Sequence, residues 1–193
     1  MTLLIDAAPL VALADPDEPR RAEILDTLTS EAEALVIPAP TTAEIDYLLG
    51  QRFGHAARRA FLADLASGRF IVAGLEREEY ATIVDLEARY ADLHLGLADC
   101  ALITLADRYR TTRILSFDER HFRAVAPLGG GAFEILPADK ASSHPARRRR
   151  RRRLQCLCSI LPVGAARPRP YPAITLAARP QQRTALPCRP TNG

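Results

Sequence analysis

The feature that most constrains this chain is a series of five short apolar runs: Leu3-Leu4-Ile5, Ala34-Leu35-Val36-Ile37, Phe70-Ile71-Val72-Ala73, Arg113-Ile114-Leu115-Ser116-Phe117 and Phe133-Glu134-Ile135-Leu136. Each has the length of a buried strand, and none approaches the length needed to span a membrane. Helical segments lie between them. Pro19 to Leu28 carries Ala22, Leu25 and Leu28 three residues apart, and Thr41 to Phe53 reads as a helix that Gly54 breaks from a further one ending near Ser67-Gly68. Glu78 to Tyr90 and Leu97 to Tyr109 read as helices, and Glu119 to Val125 as a short one. Buried strands joined by helical crossovers predict an α/β protein of three layers, with a mainly parallel central sheet covered by helices on both faces.

In such a sheet a site forms outside the carboxyl ends of the strands. Four acids fall there. Asp6 ends the first run, Asp118 follows the fourth, Glu44 opens the helix after the second, and Asp99 lies near the start of the Leu97 helix. Each also has a structural reading. Asp6 can start a turn, Asp118 can cap the short helix after it, and Thr41-Thr42-Ala43-Glu44 fits a Thr-x-x-Glu capping box. Asp99 is the least easily explained that way, because it sits inside Leu97-Ala98-Asp99-Cys100-Ala101-Leu102-Ile103. Burying a carboxylate in such a run costs several kcal/mol unless it is paired or bound to a cation, against roughly 0.3–1 kcal/mol from a helix N-terminus. One shared site explains all four acids together.

Charge supports this reading. The thirteen basic residues from Lys140 onward are accompanied by no acid, which leaves thirteen basic and 23 acidic residues in 1–139, a net charge of −10. A plain nucleic-acid-binding module would present a cationic face instead. Positions 1–139 contain no lysine, which excludes a P-loop and a Schiff-base enzyme. Cys156, Cys158 and Cys188 lie far from Cys100, and the four histidines (55, 94, 121, 144) are scattered without ligand spacing. A bound metal is therefore expected to be a hard ion on oxygen ligands. Ser116, in Leu-Ser-Phe-Asp, is not a nucleophile elbow, but its hydroxyl can hydrogen-bond a ligating carboxylate or water. Asp46 and Asp92 read as surface acids, His121 as a packed or exposed helix residue, and Gly129 to Gly131 as a turn rather than a phosphate cradle.

Leu4-Ile5-Asp6, Thr42-Ala43-Glu44-Ile45, Leu95-Gly96-Leu97-Ala98-Asp99-Cys100-Ala101 and Ile114-Leu115-Ser116-Phe117-Asp118-Glu119-Arg120-His121-Phe122 resemble the four motifs of PIN-domain nucleases, most closely the VapC toxins of bacterial toxin–antitoxin pairs. The likeness covers residues 1–137. It implies a Mg²⁺-dependent endoribonuclease, with Mn²⁺ as an alternative ion, that blocks translation by cutting structured RNA such as tRNA or rRNA. Asp6 and Asp99 would then ligate the metal, Glu44 and Asp118 would complete the site and orient the attacking water, and Ser116 would support them. The resemblance further implies a homodimer silenced by a VapB-type antitoxin. A housekeeping RNA-processing PIN nuclease, or an inactive PIN-fold module that binds RNA or protein, would carry the same motifs. One departure stands out: the family usually has Thr or Ser after the first acid, where this chain has Ala7.

Residues 140–193 match nothing in that pattern. Seven consecutive arginines, many prolines and no apolar periodicity give the composition of a disordered basic extension, or of a frameshifted read of GC-rich DNA. The expected organisation is a nuclease domain over 1–139 and an Arg/Pro-rich tail over 140–193. With no basic n-region before Asp6, the N-terminus does not read as a signal peptide, and the expected compartment is the cytoplasm.

Overall fold

The computed structural model describes residues 1–30 and 34–140. The expectations for the tail beyond Lys140 lie outside the described residues. Five strands, β1 (Thr2–Ile5), β2 (Ala34–Pro38), β3 (Ile71–Ala73), β4 (Arg113–Leu115) and β5 (Glu134–Leu136), form one sheet in the order β3-β2-β1-β4-β5. Every strand pair is parallel. The helices are α1 (Ala7–Ala12), α2 (Arg21–Ser30), α3 (Ala39–Ala66), α4 (Arg77–Arg89), α5 (Leu97–Arg108) and α6 (Glu119–Ala124). Among the described residues no helix is long and apolar enough to cross a membrane.

Alternation along each strand divides the core into two layers. Leu3, Ile5, Ile37, Leu115 and Leu136 pack with Leu10 and Val11 of α1, Ile24 and Leu28 of α2, and Ile45, Leu49 and Phe61 of α3. Leu4, Val36, Ile114 and Ile135 face the other way, onto Ile83 and Leu86 of α4, Leu102, Ile103 and Leu105 of α5, and Phe122 of α6. Both faces of the sheet are thus covered, as the apolar runs predict.

One helix appears where the sequence assigned no element, and one local expectation changes. Asp6 N-caps α1, its carboxylate accepting from the Ala7 N–H at 2.7 Å. Helix α3 begins at Ala39, with a proline in its first turn, so Thr41 is not its cap. The Thr42 hydroxyl donates to Ala39 O at 2.7 Å. Proline fits the first turn because the amide it lacks has no helical partner there, and the capping-box reading of Glu44 falls. Gly54 does interrupt α3, at φ 79° and ψ −174°, a conformation that favours glycine. Across that break Arg58 donates to both Asp46 oxygens, at 3.0 and 2.6 Å, so Asp46 serves the helix. A Cβ on Gly50 would lie 2.6 Å from Arg58 Cδ, so any larger residue there would displace the Arg58 side chain.

The chain leaves β1 toward β2 and β3 on one side and returns to β4 and β5 on the other. The direction of winding therefore reverses between β1 and β4, and a crevice opens at their carboxyl ends.

Candidate functional site

The crevice at the ends of β1 and β4 is a cleft of about 640 Å³ lined by Asp6, Ala7, Ala8, Glu44, Gly96, Ala98, Asp99, Phe117, Asp118, Glu119 and Arg120. All four expected acids are in its wall. Asp46 and Asp92 are not.

The pairing of Ile5 with Leu115 brings Asp6 beside Ser116, and the Asp6 N–H continues the ladder to Leu115 O at 3.0 Å. The buried Ser116 hydroxyl donates to Asp6 Oδ2 at 2.7 Å and accepts from the Asp118 N–H at 2.9 Å. One hydroxyl therefore joins the first acid to the backbone of the fourth. Asp118 also N-caps α6, its Oδ1 accepting from the His121 N–H at 3.0 Å. Capping engages Oδ1, while Oδ2 lies 3.0 Å from the His121 ring.

Asp99 occupies the first turn of α5, a helix otherwise buried from Cys100 to Ala106. Its Oδ2 accepts from the Gly96 N–H at 3.0 Å, which holds the carboxylate at the cleft wall. Glu44 projects from α3 as an exposed residue.

Burial pushes the Asp6 carboxyl above its ordinary range; the hydrogen bonds from Ser116 and Ala7 pull it back, and the charges of Asp99 and Glu44 push it up again. Two acids remote in sequence thus act on Asp6 across the cleft. Burial, with the charges of Asp99 and Glu87, likewise pushes the Cys100 thiol up, so this cysteine is no nucleophile.

His121 is the site residue that sequence reasoning passed over. Its Nδ1 lies 3.0 Å from Asp118 Oδ2 and 3.4 Å from Asp99 Oδ2, in line for a hydrogen bond with neither. The available signal was its position three residues after Asp118, one helical turn on the same face. Phe117 and Arg20 were also missed: the Arg20 guanidinium lies 3.4 Å from the Phe117 ring centroid, a contact between separate elements that local sequence does not reveal.

The donor set is carboxylate oxygen with one adjacent imidazole nitrogen. As the side chains stand, no three Asp, Glu, His or Cys residues among those described converge tightly enough to enclose an ion on their own.

Comparison with known proteins agrees with this geometry. The PIN domain model matches residues 3–127. Ribonuclease VapC26 of Mycobacterium tuberculosis is 40% identical over 135 residues, which is 70% of this chain and 100% of that protein. The crystal structure of VapC20 of M. tuberculosis, described as a sarcin–ricin loop cleaving toxin, superimposes with a TM-score of 0.58 at 17% identity, covering 63% of this chain and 94% of VapC20. A toxin–antitoxin complex from Klebsiella pneumoniae gives a TM-score of 0.50 at 17% identity, covering 64% of this chain and 92% of that one. The two structures share the fold, and the residues matched by the PIN domain model include the positions of all four acids. The chain belongs to the PIN-domain family, among the relatives of the VapC ribonucleases.

Proposed function

We propose that the protein is a Mg²⁺-dependent endoribonuclease, the toxin of a toxin–antitoxin pair, acting on structured RNA such as tRNA or rRNA. The observation that carries this reading is the gathering of Asp6, Glu44, Asp99 and Asp118 in the wall of one cleft, where the charges of Asp99 and Glu44 oppose ionisation of Asp6. A divalent cation relieves that repulsion. Following the resemblance to PIN nucleases, Asp6 and Asp99 would hold the ion, in keeping with magnesium's use of one or two carboxylates beside water. Mn²⁺ suits the same oxygens. When bound, such an ion supplies Lewis-acid stabilisation at the phosphate and lowers the pKa of water.

The residues then divide the work. Ser116 holds the Asp6 carboxylate in position, and the Gly96 amide holds Asp99. Glu44 and Asp118 flank them in the cleft wall and orient the water that attacks the phosphodiester. The structural likeness to a toxin–antitoxin complex supports a VapB-type antitoxin as partner. We also propose a homodimer, on the resemblance to VapC toxins alone.

The test is cleavage of bulk tRNA and rRNA by the purified full-length chain, with Mg²⁺, with Mn²⁺ and after chelation by EDTA. Metal-supported cutting that Asp99→Asn abolishes is the expected result. Undiminished activity after exhaustive chelation overturns the metal mechanism, and no cutting under any condition overturns the nuclease reading.

A further inference from the structure

An RNA strand entering this cleft meets four carboxylates on a domain with a net charge of −10 over residues 1–139. A cation between Asp6 and Asp99 offsets part of that repulsion at one phosphate. The neighbouring phosphates need fixed positive charge from the protein. Several arginines are fully engaged by acids: Arg58 by Asp46, Arg69 by Asp64, Arg108 by Glu79, Arg113 by Glu134, and Arg123 by Glu119 and Asp139. Arg120, in the cleft wall, and Arg20, which lies over a ring of that wall and pairs with Glu18 through Nε alone, keep terminal nitrogens without an acid partner among the described residues.

Arg120 lines the cleft itself and has no hydrogen bond or ion pair among the described residues. Its neighbour Glu119 does not neutralise it, because that carboxylate is taken by Arg123 at 2.7 Å. Arg20 approaches from the segment before α2. Its guanidinium lies over the ring of Phe117, which forms part of the cleft wall between Ser116 and Asp118. Its Nε donates to Glu18 Oε1 at 3.1 Å, and its two terminal nitrogens have no partner among the described residues. A stacked ring and one hydrogen bond set the plane of the fork while leaving its outer edge open, the form in which arginine binds phosphate through two donors. Holding the fork in advance reduces the conformational entropy lost on binding.

We propose that Arg20, stacked on Phe117, together with Arg120, forms the phosphate-contacting edge of the cleft and holds the RNA backbone beside the four carboxylates. This inference rests on the ribonuclease reading above. Arg20 and Arg120 act on binding and position; the reacting phosphate is the business of the acids.

The experiment compares Arg20→Gln, Arg120→Gln and Arg110→Gln in the full-length chain, using bulk tRNA as substrate across a salt series. Arg110 supplies the same charge change at the amino end of β4, the opposite edge of the sheet, in a separate pocket. The Arg20 and Arg120 variants are expected to raise KM several-fold with kcat within about twofold, and each to lower the salt slope of kcat/KM by about one phosphate contact. Arg20→Lys, which keeps the charge but loses the planar fork, is expected to recover part of the loss only. A wild type that cuts tRNA while all three Gln variants share its KM and salt slope overturns the phosphate-edge assignment and leaves the nuclease reading intact. A wild type that neither binds nor cuts RNA overturns both.

Discussion

Ser116 and Asp6 stand 110 residues apart in sequence and 2.7 Å apart in the structure, the serine hydroxyl donating to the carboxylate while accepting from the Asp118 amide. This buried hydroxyl connects two strands and two of the four acids. Ser116→Ala is expected to lower stability by about 1–3 kcal/mol, the range for losing a hydrogen bond to a charged group and leaving its partner unsatisfied. It also removes the largest of the influences that lower the Asp6 pKa. The acid limb of the pH–rate profile is then expected to move upward; thermal melting and a pH series of cleavage rates check the two effects.

Asp6→Asn gives a signed linkage test. The folded-state pKa of Asp6 is raised, burial being the largest cause. Ionising a carboxyl with a raised pKa is harder in the folded state than in the unfolded chain, so the folded state binds more protons and stability falls as pH rises through that interval. The destabilisation is complete above the folded pKa and absent below the unfolded value. In the absence of divalent metal, Asp6→Asn is therefore expected to melt higher than wild type at neutral pH, with the difference vanishing in strong acid. Asparagine keeps an oxygen to cap α1. A variant melting lower at neutral pH would show that the charged Asp6 stabilises the fold. Cleavage is expected to be lost.

Ala7 offers a gain-of-function test. Its N–H already donates to Asp6, and its side chain is buried in the layer with Leu10 and Val11, while part of it borders the cleft. Ala7→Ser adds one atom and returns the hydroxyl that the family usually carries there. It is expected to raise Mg²⁺ affinity up to about tenfold, at the low end of outer-sphere effects, measured by calorimetric titration. Ala7→Thr adds more bulk in packed surroundings, which typically costs about 1–3 kcal/mol. An affinity unchanged in Ala7→Ser would show that Ser116 and the Ala7 amide already complete the support of Asp6.

The boundary of the folded unit is testable by truncation. Asp139 accepts from the Ile135 amide and from Arg123, and Lys140 donates to Asp26 on α2. A chain ending after Lys140 keeps these contacts and is expected to match the full-length chain within about 0.5 kcal/mol, the range for changes away from packed features. The twelve basic residues after Lys140 are expected to tighten RNA binding non-specifically. The two proteins should then differ most at low salt and converge as salt rises. A truncated chain that fails to fold would make the tail part of the domain.

How much of this was legible beforehand follows from the range over which a sequence signal operates. Leu3-Leu4-Ile5 and Ile114-Leu115 announce themselves as buried strands because apolar runs report burial locally. The helical crossovers between them require a parallel sheet with its site at the carboxyl edge, so the positions of Asp6, Glu44, Asp99 and Asp118 relative to that edge were predictable. The helix after Asp6 went unassigned and α3 starts at Ala39 ahead of Thr41, because capping signals are short and Asp6 and Thr41 each fit more than one pattern.

Tertiary structure alone decided what those residues meet. The parallel pairing of Ile5 with Leu115 selected Ser116, among the hydroxyls of the chain, as the partner of Asp6. Tertiary contact set the His121 ring, already one turn from Asp118, near Asp99 as well, and the loop before α2 laid Arg20 on Phe117. Hydrophobic periodicity specifies which face of an element is buried, because that preference is paid residue by residue in water. It carries no information about which distant element covers the face, since strand order and register are settled only when the whole sheet closes its core. The amino-acid sequence by itself thus determined the class of fold, the edge on which its acids lie and Ser116 as a candidate support; the joined sheet decided that Ser116 reaches Asp6 in particular, and that Arg20 and Arg120 stand beside the acids.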